Sequence, residues 1–490
     1  MSADLFARRR AGVLLHPTSL PGASRHGALG TDARRFVDAI AAAGFSVWQM
    51  LPVGPVTTDP SPYFARSNHA GNAQLIDLEP LMHAGWIGRD GPASGESDHD
   101  YHARKLHEAG AGFLHWASES ERAELPDFRR HNAHWLGPYA LYEALKREHA
   151  GEPWWRWSVP LRDRERSAIE AAAKRQHAFV EQIAFEQWLF ARQWAALRAY
   201  ASERGIRLFG DLPIYVAHDS VETWLHRRNF CLDADGMPTA VSGVPPDYFS
   251  ADGQIWGNPL YDWDFQRAHR FSWWTDRVRA QLERFDWLRI DHFRGLEAGW
   301  SVPAGASTAR GGAWVKAPGR ELLRHLQSTL GGMPLVAEDL GVITPEVVAL
   351  REKFDLPGMR ILQFAFDGAP ENSYLPHNHK RSTLVYTGTH DNDTTLGWYR
   401  SLDPQARAHV DAYFPRGAAH MPETLIRAAL GSVAILAVVP LQDLFALGSD
   451  ARMNTPGTAS GNWLWGFHWD QMPRNFGAHW RSLNHLYGRC

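Results

Sequence analysis

Eight short apolar runs, at 12–16, 46–51, 206–211, 286–291, 334–338, 359–364, 383–388 and 433–440, constrain the fold of this chain more than any other feature. Each has the length of a buried strand, and each after the first follows a stretch that reads as helix. The first pair shows the unit. Gly12–His16 reads as a strand. Residues 32–43 read as a helix, with Phe36, Val37, Ile40 and Ala41 spaced for one face and Gly44 just past the end. Ser46–Leu51 is the next strand. A strand–helix–strand unit this short takes a right-handed crossover, so its two strands are parallel. Eight such strands make an α/β chain, and the count is that of a (β/α)8 barrel; the competing architecture is an open doubly wound sheet with a second domain.

The alternation is interrupted twice. Residues 52–75 read as loop, and 79–203 as mostly charged helix. Within that stretch 80–175 is taken as a helical insertion, and 164–203 as the long helix that returns the chain to the barrel. A second, loop-rich insertion spans about 215–265. Both insertions follow the C-terminal end of a strand, the face on which barrels carry their sites. One unit over 1–490 with two insertions is the expected organisation.

Composition excludes several classes. At 490 residues, 44% hydrophobic and 21% charged, the chain has ample material for a core. A net charge of −3 with no Lys/Arg block offers nothing to nucleic acid or to an anionic membrane. The only cysteines are Cys231 and Cys490, which suits a reducing cytosol and leaves no disulfide framework. The apolar patch Ala11–Leu15 ends at Pro17, too short for a signal peptide, and no apolar run reaches the ~18 residues of a membrane span. A cytoplasmic monomer is the expectation. The 22 tryptophans suit a core and also suit platforms for the apolar faces of sugar rings.

The chemistry sits at the ends of the runs. Asp211, Asp291 and Glu338 close three of them, and Asp391 lies just past the seventh, in Thr387-Gly-Thr-His-Asp-Asn-Asp393. In a barrel these ends converge on one pocket. Carboxylates crowded there repel and raise one another's pKa, which folding does not need. Arg289 and Asp291, two apart on one strand, share a face, so the guanidinium would hold Asp291 ionised. Two reaction classes fit. One is metal-dependent hydrolysis with His292, His390 and the aspartates as ligands. The other is glycosyl transfer by a carboxylate nucleophile and a carboxylic acid. His16-Pro17 stands at the end of the first run, where a metal barrel would place His-x-His, and Tyr63, Tyr248, Phe249, Trp256, Trp463 and Trp465 could serve as sugar platforms. These favour glycosyl transfer.

Four motifs in order, Gly210-Asp211-Leu-Pro-Ile-Tyr-Val216, Leu288-Arg-Ile-Asp-His-Phe-Arg-Gly295, Ala337-Glu-Asp-Leu-Gly341 and Thr387-Gly-Thr-His-Asp-Asn-Asp-Thr394, resemble those of the α-amylase superfamily. Gly243-Val-Pro-Pro-Asp-Tyr-Phe-Ser250, Gly253-Gln-Ile-Trp-Gly-Asn-Pro-Leu-Tyr261, Leu441-Gln-Asp443 and Asn454-Thr-Pro-Gly-Thr458 before Asn462-Trp463 resemble the 4-α-glucanotransferases, or amylomaltases, within it. The resemblance covers the whole chain. It implies a maltodextrin substrate, with Asp291 as nucleophile, Glu338 as acid and then base, and Asp391 as transition-state stabiliser. Arg289, His390, Tyr63, Asp211, Tyr248, Phe249, Gln254, Trp256, His292 and Asn462 would contact substrate or support the carboxylates. Asp339 reads as structural, since strand alternation turns it the other way. No metal or other cofactor is implied. A hydrolase on the same residues is the nearest rival. The sequence departs from the family pattern around Ser61-Pro-Tyr63 and at Gly466.

Overall fold

The computed structural model describes residues 7–22, 27–56, 59–246, 250–415, 417–458 and 460–490. Twelve strands are present among them: β1 Arg10–Leu14, β2 Val47–Gln49, β3 Arg207–Leu212, β4 Ala240–Val244, β5 Gln254–Pro259, β6 Trp287–Ile290, β7 Ala298–Pro303, β8 Ala313–Lys316, β9 Leu335–Ala337, β10 Gly358–Ile361, β11 Thr383–Tyr386 and β12 Leu436–Pro440. Eight of them form one sheet in the order β10-β11-β12-β1-β2-β3-β6-β9, every ladder parallel. Each of the eight predicted runs supplies one of these strands.

The two ends of that order, β9 and β10, meet at a seam. The Ala337 amide donates to the Pro357 carbonyl at 2.9 Å, and the buried Asp339 carboxylate accepts the Met359 amide at 2.6 Å. Asp339 also faces Arg351 and Arg360 at 3.3 and 3.4 Å. It needs a glycine opposite, because a Cβ on Gly358 would lie 2.4 Å from its oxygen. The sheet is thus a nearly closed (β/α)8 barrel. Leu14, Val47, Phe209, Trp287, Val336, Met359, Tyr386 and Val438 fill its interior, while helices such as Thr31–Ala42, Ser272–Arg284 and Gly319–Leu330 pack their apolar faces on its outside.

One expectation needs correction, and another gains detail. No α-helix precedes β11. Residues 362–382 run through two single-turn 3-10 helices, Leu362–Phe364 and Pro376–Asn378, because Gly, Pro and Asn recur there without apolar spacing. The stretch around 215–265 is also not loop alone. β4 and β5 lie in it and join β7 and β8 in a four-stranded antiparallel sheet of order β5-β4-β7-β8. Between residues 79 and 203 the chain is helical. It ends in the 27-residue helix His177–Glu203, which leads into β3.

Candidate active site

Register brings the acids together. Asp211 is paired with Arg289 across β3 and β6, and Asp291 and Glu338 each follow directly after the paired residues Ile290 and Ala337 of β6 and β9. Paired residues on neighbouring parallel strands share a face, so Asp211, Arg289 and Asp291 project together. Arg289 Nη1 donates to both oxygens of Asp211 at 2.8 and 2.7 Å, and its Nη2 lies 2.8 Å from Asp291 Oδ1. Burial works against the charge on Arg289, but the two carboxylates keep it protonated. One guanidinium therefore serves two acids.

Asp291 and Glu338 differ in their surroundings. Burial pushes both upward from the ordinary carboxylate range, and Glu338 moves further. Arg289 opposes the push on each, but it touches only Asp291. The Asp291 side chain is 29% exposed, whereas Glu338 is 8% exposed, so water still helps to solvate the aspartate charge. Glu338 Oε2 accepts the His292 amide at 2.7 Å and Oε1 the Leu340 amide at 2.9 Å. The first bond requires an unusual backbone: His292 has a φ of +50°, the left-handed region that a side chain seldom adopts. The turn aims the amide at Glu338 and leaves the half-buried His292 ring edge-on to Trp256, ring centres 4.7 Å apart. Burial lowers the His292 pKa to about 3, so the ring is neutral. The Trp256 indole N–H donates to Gln254 Oε1 at 3.2 Å.

Asp391 is held differently. It lies five residues past β11, with its side chain 46% exposed, on a loop closed by Asn392 accepting from the Thr389 amide and hydroxyl. Buried Asp443, after β12, pins that loop from beneath by accepting from the Thr387 and Thr395 hydroxyls at 2.6 Å each. Asn454 Nδ2 donates to Asp391 Oδ1 at 2.6 Å, and Arg452 bonds the carbonyls of Asp391 and Asn454. His390 Nε2 stands 3.3 Å from Asp391 Oδ2 and 3.0 Å from the Tyr63 hydroxyl oxygen. Tyr63 donates that hydroxyl to Asp211 Oδ2 at 2.8 Å, and burial followed by the Asp211 charge keeps it a phenol. The Tyr63 ring stacks on His390 and lies 5.9 Å from the Trp463 ring. A continuous chain of contacts thus runs from Asp291 through Arg289, Asp211, Tyr63 and His390 to Asp391.

Of the residues expected at the site, Asp211, Arg289, Asp291, His292, Glu338, His390, Asp391, Tyr63, Gln254 and Trp256 are brought into this one contact network. Asn462 is not, because both ends of its amide bond Thr455 and Thr458 of its own loop. Tyr248 and Phe249 lie outside the described residues. Arg452 and Asn454 belong to the network although the sequence reading gave them no role; the only available signal was the position of Asn454 at the head of a family motif. Among the described residues no group of three or more His, Cys, Asp or Glu side chains is placed to hold a metal ion.

Residues 15–471 match the family model described as 4-alpha-glucanotransferase. The chain belongs to the 4-alpha-glucanotransferase family. A 4-alpha-glucanotransferase of Thermus thermophilus is 49% identical, over 97% of this chain and 98% of that protein. One of Synechocystis sp. is 45% identical, over 99% of each. Among solved structures, an amylomaltase from Streptococcus agalactiae in complex with acarbose superimposes with a TM-score of 0.94 at 34% identity, covering 98% of this chain and 100% of that one. Family membership accounts for the barrel and for the order of the four motifs.

Proposed function

We propose that this chain transfers an α-1,4-glucan segment from one maltodextrin to the 4-hydroxyl of another glucan, with retention at the anomeric carbon. The observation that carries this reading is the contrast between Asp291 and Glu338. They are two carboxyls directly after paired residues of adjacent strands, one touching a guanidinium and partly open to water, the other enclosed and pushed further upward. Retaining transfer needs one ionised and one protonated carboxyl about 5–5.5 Å apart. Asp291 attacks the anomeric carbon while Glu338 protonates the departing oxygen. The donor segment then rests on Asp291 as a β-linked ester. Glu338, now ionised, takes the proton of the incoming 4-hydroxyl, and the ester bond breaks. Asp391 and His390 hold sugar hydroxyls and stabilise the oxocarbenium-like transition state, and Tyr63 and Trp463 give the donor sugar a flat wall.

Transfer outruns hydrolysis where the acceptor, not water, meets the ester. The wall built by Gln254 and Trp256 supports that role, and we extend the role to Tyr248 and Phe249, a few residues earlier in the sequence. No described helix is long and apolar enough to cross a membrane; we propose a cytosolic monomer in glucan metabolism. We also propose that the chain works as a single catalytic barrel, with about 80–175 and about 215–265 as insertions on it. Incubation with maltotriose tests the central reading. The expected products are glucose and a ladder of longer maltodextrins, lost in Asp291→Asn. Glucose and maltose alone would make it a hydrolase, and a persistent ladder in Asp291→Asn would remove Asp291 from the nucleophile's role.

A further inference from the structure

Beside His390 is a crevice of about 30 Å³ lined by His16, Thr389, His390, Gln442, Arg452 and Trp465, among others. A cavity needs roughly 10–15 Å³ to hold a water molecule, together with two to four polar partners. His16, two residues past β1, is 7% exposed, and neither of its ring nitrogens has a hydrogen-bond partner among the described residues. Nδ1 is fully buried, which leaves Nε2 as the nitrogen able to reach the crevice. Nothing in the mechanism above uses this residue. A buried imidazole without a partner costs stability, so its retention here calls for a reason.

His390 supplies one. Its Nε2 faces Tyr63 Oη and Asp391 Oδ2. The Tyr63 proton is committed to Asp211, so both neighbours are acceptors and favour the hydrogen on Nε2. In a neutral ring Nδ1 is then an acceptor, and no described residue donates to it. We propose that the crevice binds an ordered water that accepts a hydrogen bond from His16 Nε2–H and donates one to His390 Nδ1, so that His16 holds, from the opposite ring nitrogen, the tautomer that Tyr63 and Asp391 favour at Nε2. The charged groups on the crevice are engaged elsewhere. Asp393 accepts from Ser449 and Thr394, and Arg452 bonds the carbonyls of Asp391 and Asn454. His16 remains neutral, since burial and the neighbouring His390 lower its pKa to about 3.

His16 is thus a positioning residue, and its effect on rate rests on the transfer reading given above. Three variants separate positioning from packing. His16→Gln places an amide N–H near Nε2, His16→Asn has one too short to reach, and His16→Leu has none. ¹⁵N-histidine spectra, with the His390 signal assigned through His390→Gln, should show the Nε2–H form in wild type and His16→Gln. His16→Asn and His16→Leu should show a shift toward Nδ1–H, with kcat on maltotriose lower by about tenfold, the effect of one lost hydrogen bond. An unchanged His390 spectrum in His16→Leu, or a His16→Gln enzyme no better than His16→Asn, would overturn the proposal. If His16→Leu does not fold, the Gln/Asn pair still decides. The spectra need no turnover, so failure of the transfer reading would show separately, as a wild type that makes no longer glucans.

Discussion

The two sides of the site are held by different means. Asp211, Arg289, Asp291 and Glu338 stand on or directly after barrel strands, and ladder register alone sets their relative places. Asp391 and His390 stand on a loop and Tyr63 on a single 3-10 turn, Pro62–Phe64, placed by side-chain bonds from segments far away in sequence: Asn454, Asp443 and Asp211. Changes on the strand side should therefore act on charge and leave geometry intact. Changes on the loop side should act on geometry first.

Glu338→Gln tests the strand side most severely. The amide keeps the shape but cannot supply a proton, and loss of a general acid costs about 10²–10⁴-fold. Much of that loss should vanish with a maltosyl fluoride donor, whose leaving group needs no proton. Stability should move the other way. Glu338 has a folded pKa above its unfolded value, so ionisation disfavours the folded state. The cost appears as pH rises from about 4.3, the unfolded pKa, through the folded pKa. Glu338→Gln should then melt higher than wild type at pH 8 and show no advantage at pH 4. Equal melting differences at both pH values would mean that Glu338 is not held protonated.

Arg289→Leu comes next. It leaves the buried Asp211 and the half-buried Asp291 as neighbouring carboxylates without their cation, and breaking such a network costs up to roughly 3–5 kcal/mol. Activity should fall by about 10²–10³-fold, the scale of a lost electrostatic stabiliser. Its acid limb should shift to higher pH, because Asp291 then ionises without its cation. A limb that stays in place would show that Asp291 depends on water more than on Arg289.

The same contrast explains what the sequence revealed. The strands were legible because burial on both faces writes an apolar run, and Asp291 and Glu338 were legible because an acid closing such a run is conspicuous. The sheet of β4, β5, β7 and β8 was not. β4 pairs with β7 across more than fifty residues, and Gly243 and Gly257 interrupt its pattern. A Cβ on Gly243 would lie 2.3 Å from the Gln254 carbonyl oxygen, so this glycine, which reads as loop, is a tight strand crossing. Arg452 and Asn454 were hidden for the loop-side reason: their partner Asp391 is some sixty residues away, and no periodicity records that pairing. Asn462 shows the converse, a motif residue whose amide is used within its own turn.

Asn454→Ala measures the loop side. It removes one 2.6 Å bond to Asp391 and leaves every charge in place. The expected loss is about tenfold in kcat, worth about 1.4 kcal/mol, with the pH profile unmoved. A shifted profile would mean that Asn454 acts on the ionisation of Asp391 and not on its position.

The smallest effect on rate, and the sharpest on product, belongs to Trp256. It stands on β5 facing the His292 ring, and its neighbour Ile255 points to the opposite face of the same strand and is 38% exposed. Trp256→Ala would open the ester on Asp291 to water without touching any carboxylate. Total turnover should change little, while the ratio of glucose released by hydrolysis to glucan transferred rises several-fold. Ile255→Ala alters the same strand without altering the wall, so its ratio should match wild type. If both variants raise the ratio alike, water is excluded by the stiffness of the small sheet as a whole. If neither does, exclusion lies with the strand side, where Glu338 accepts the His292 amide.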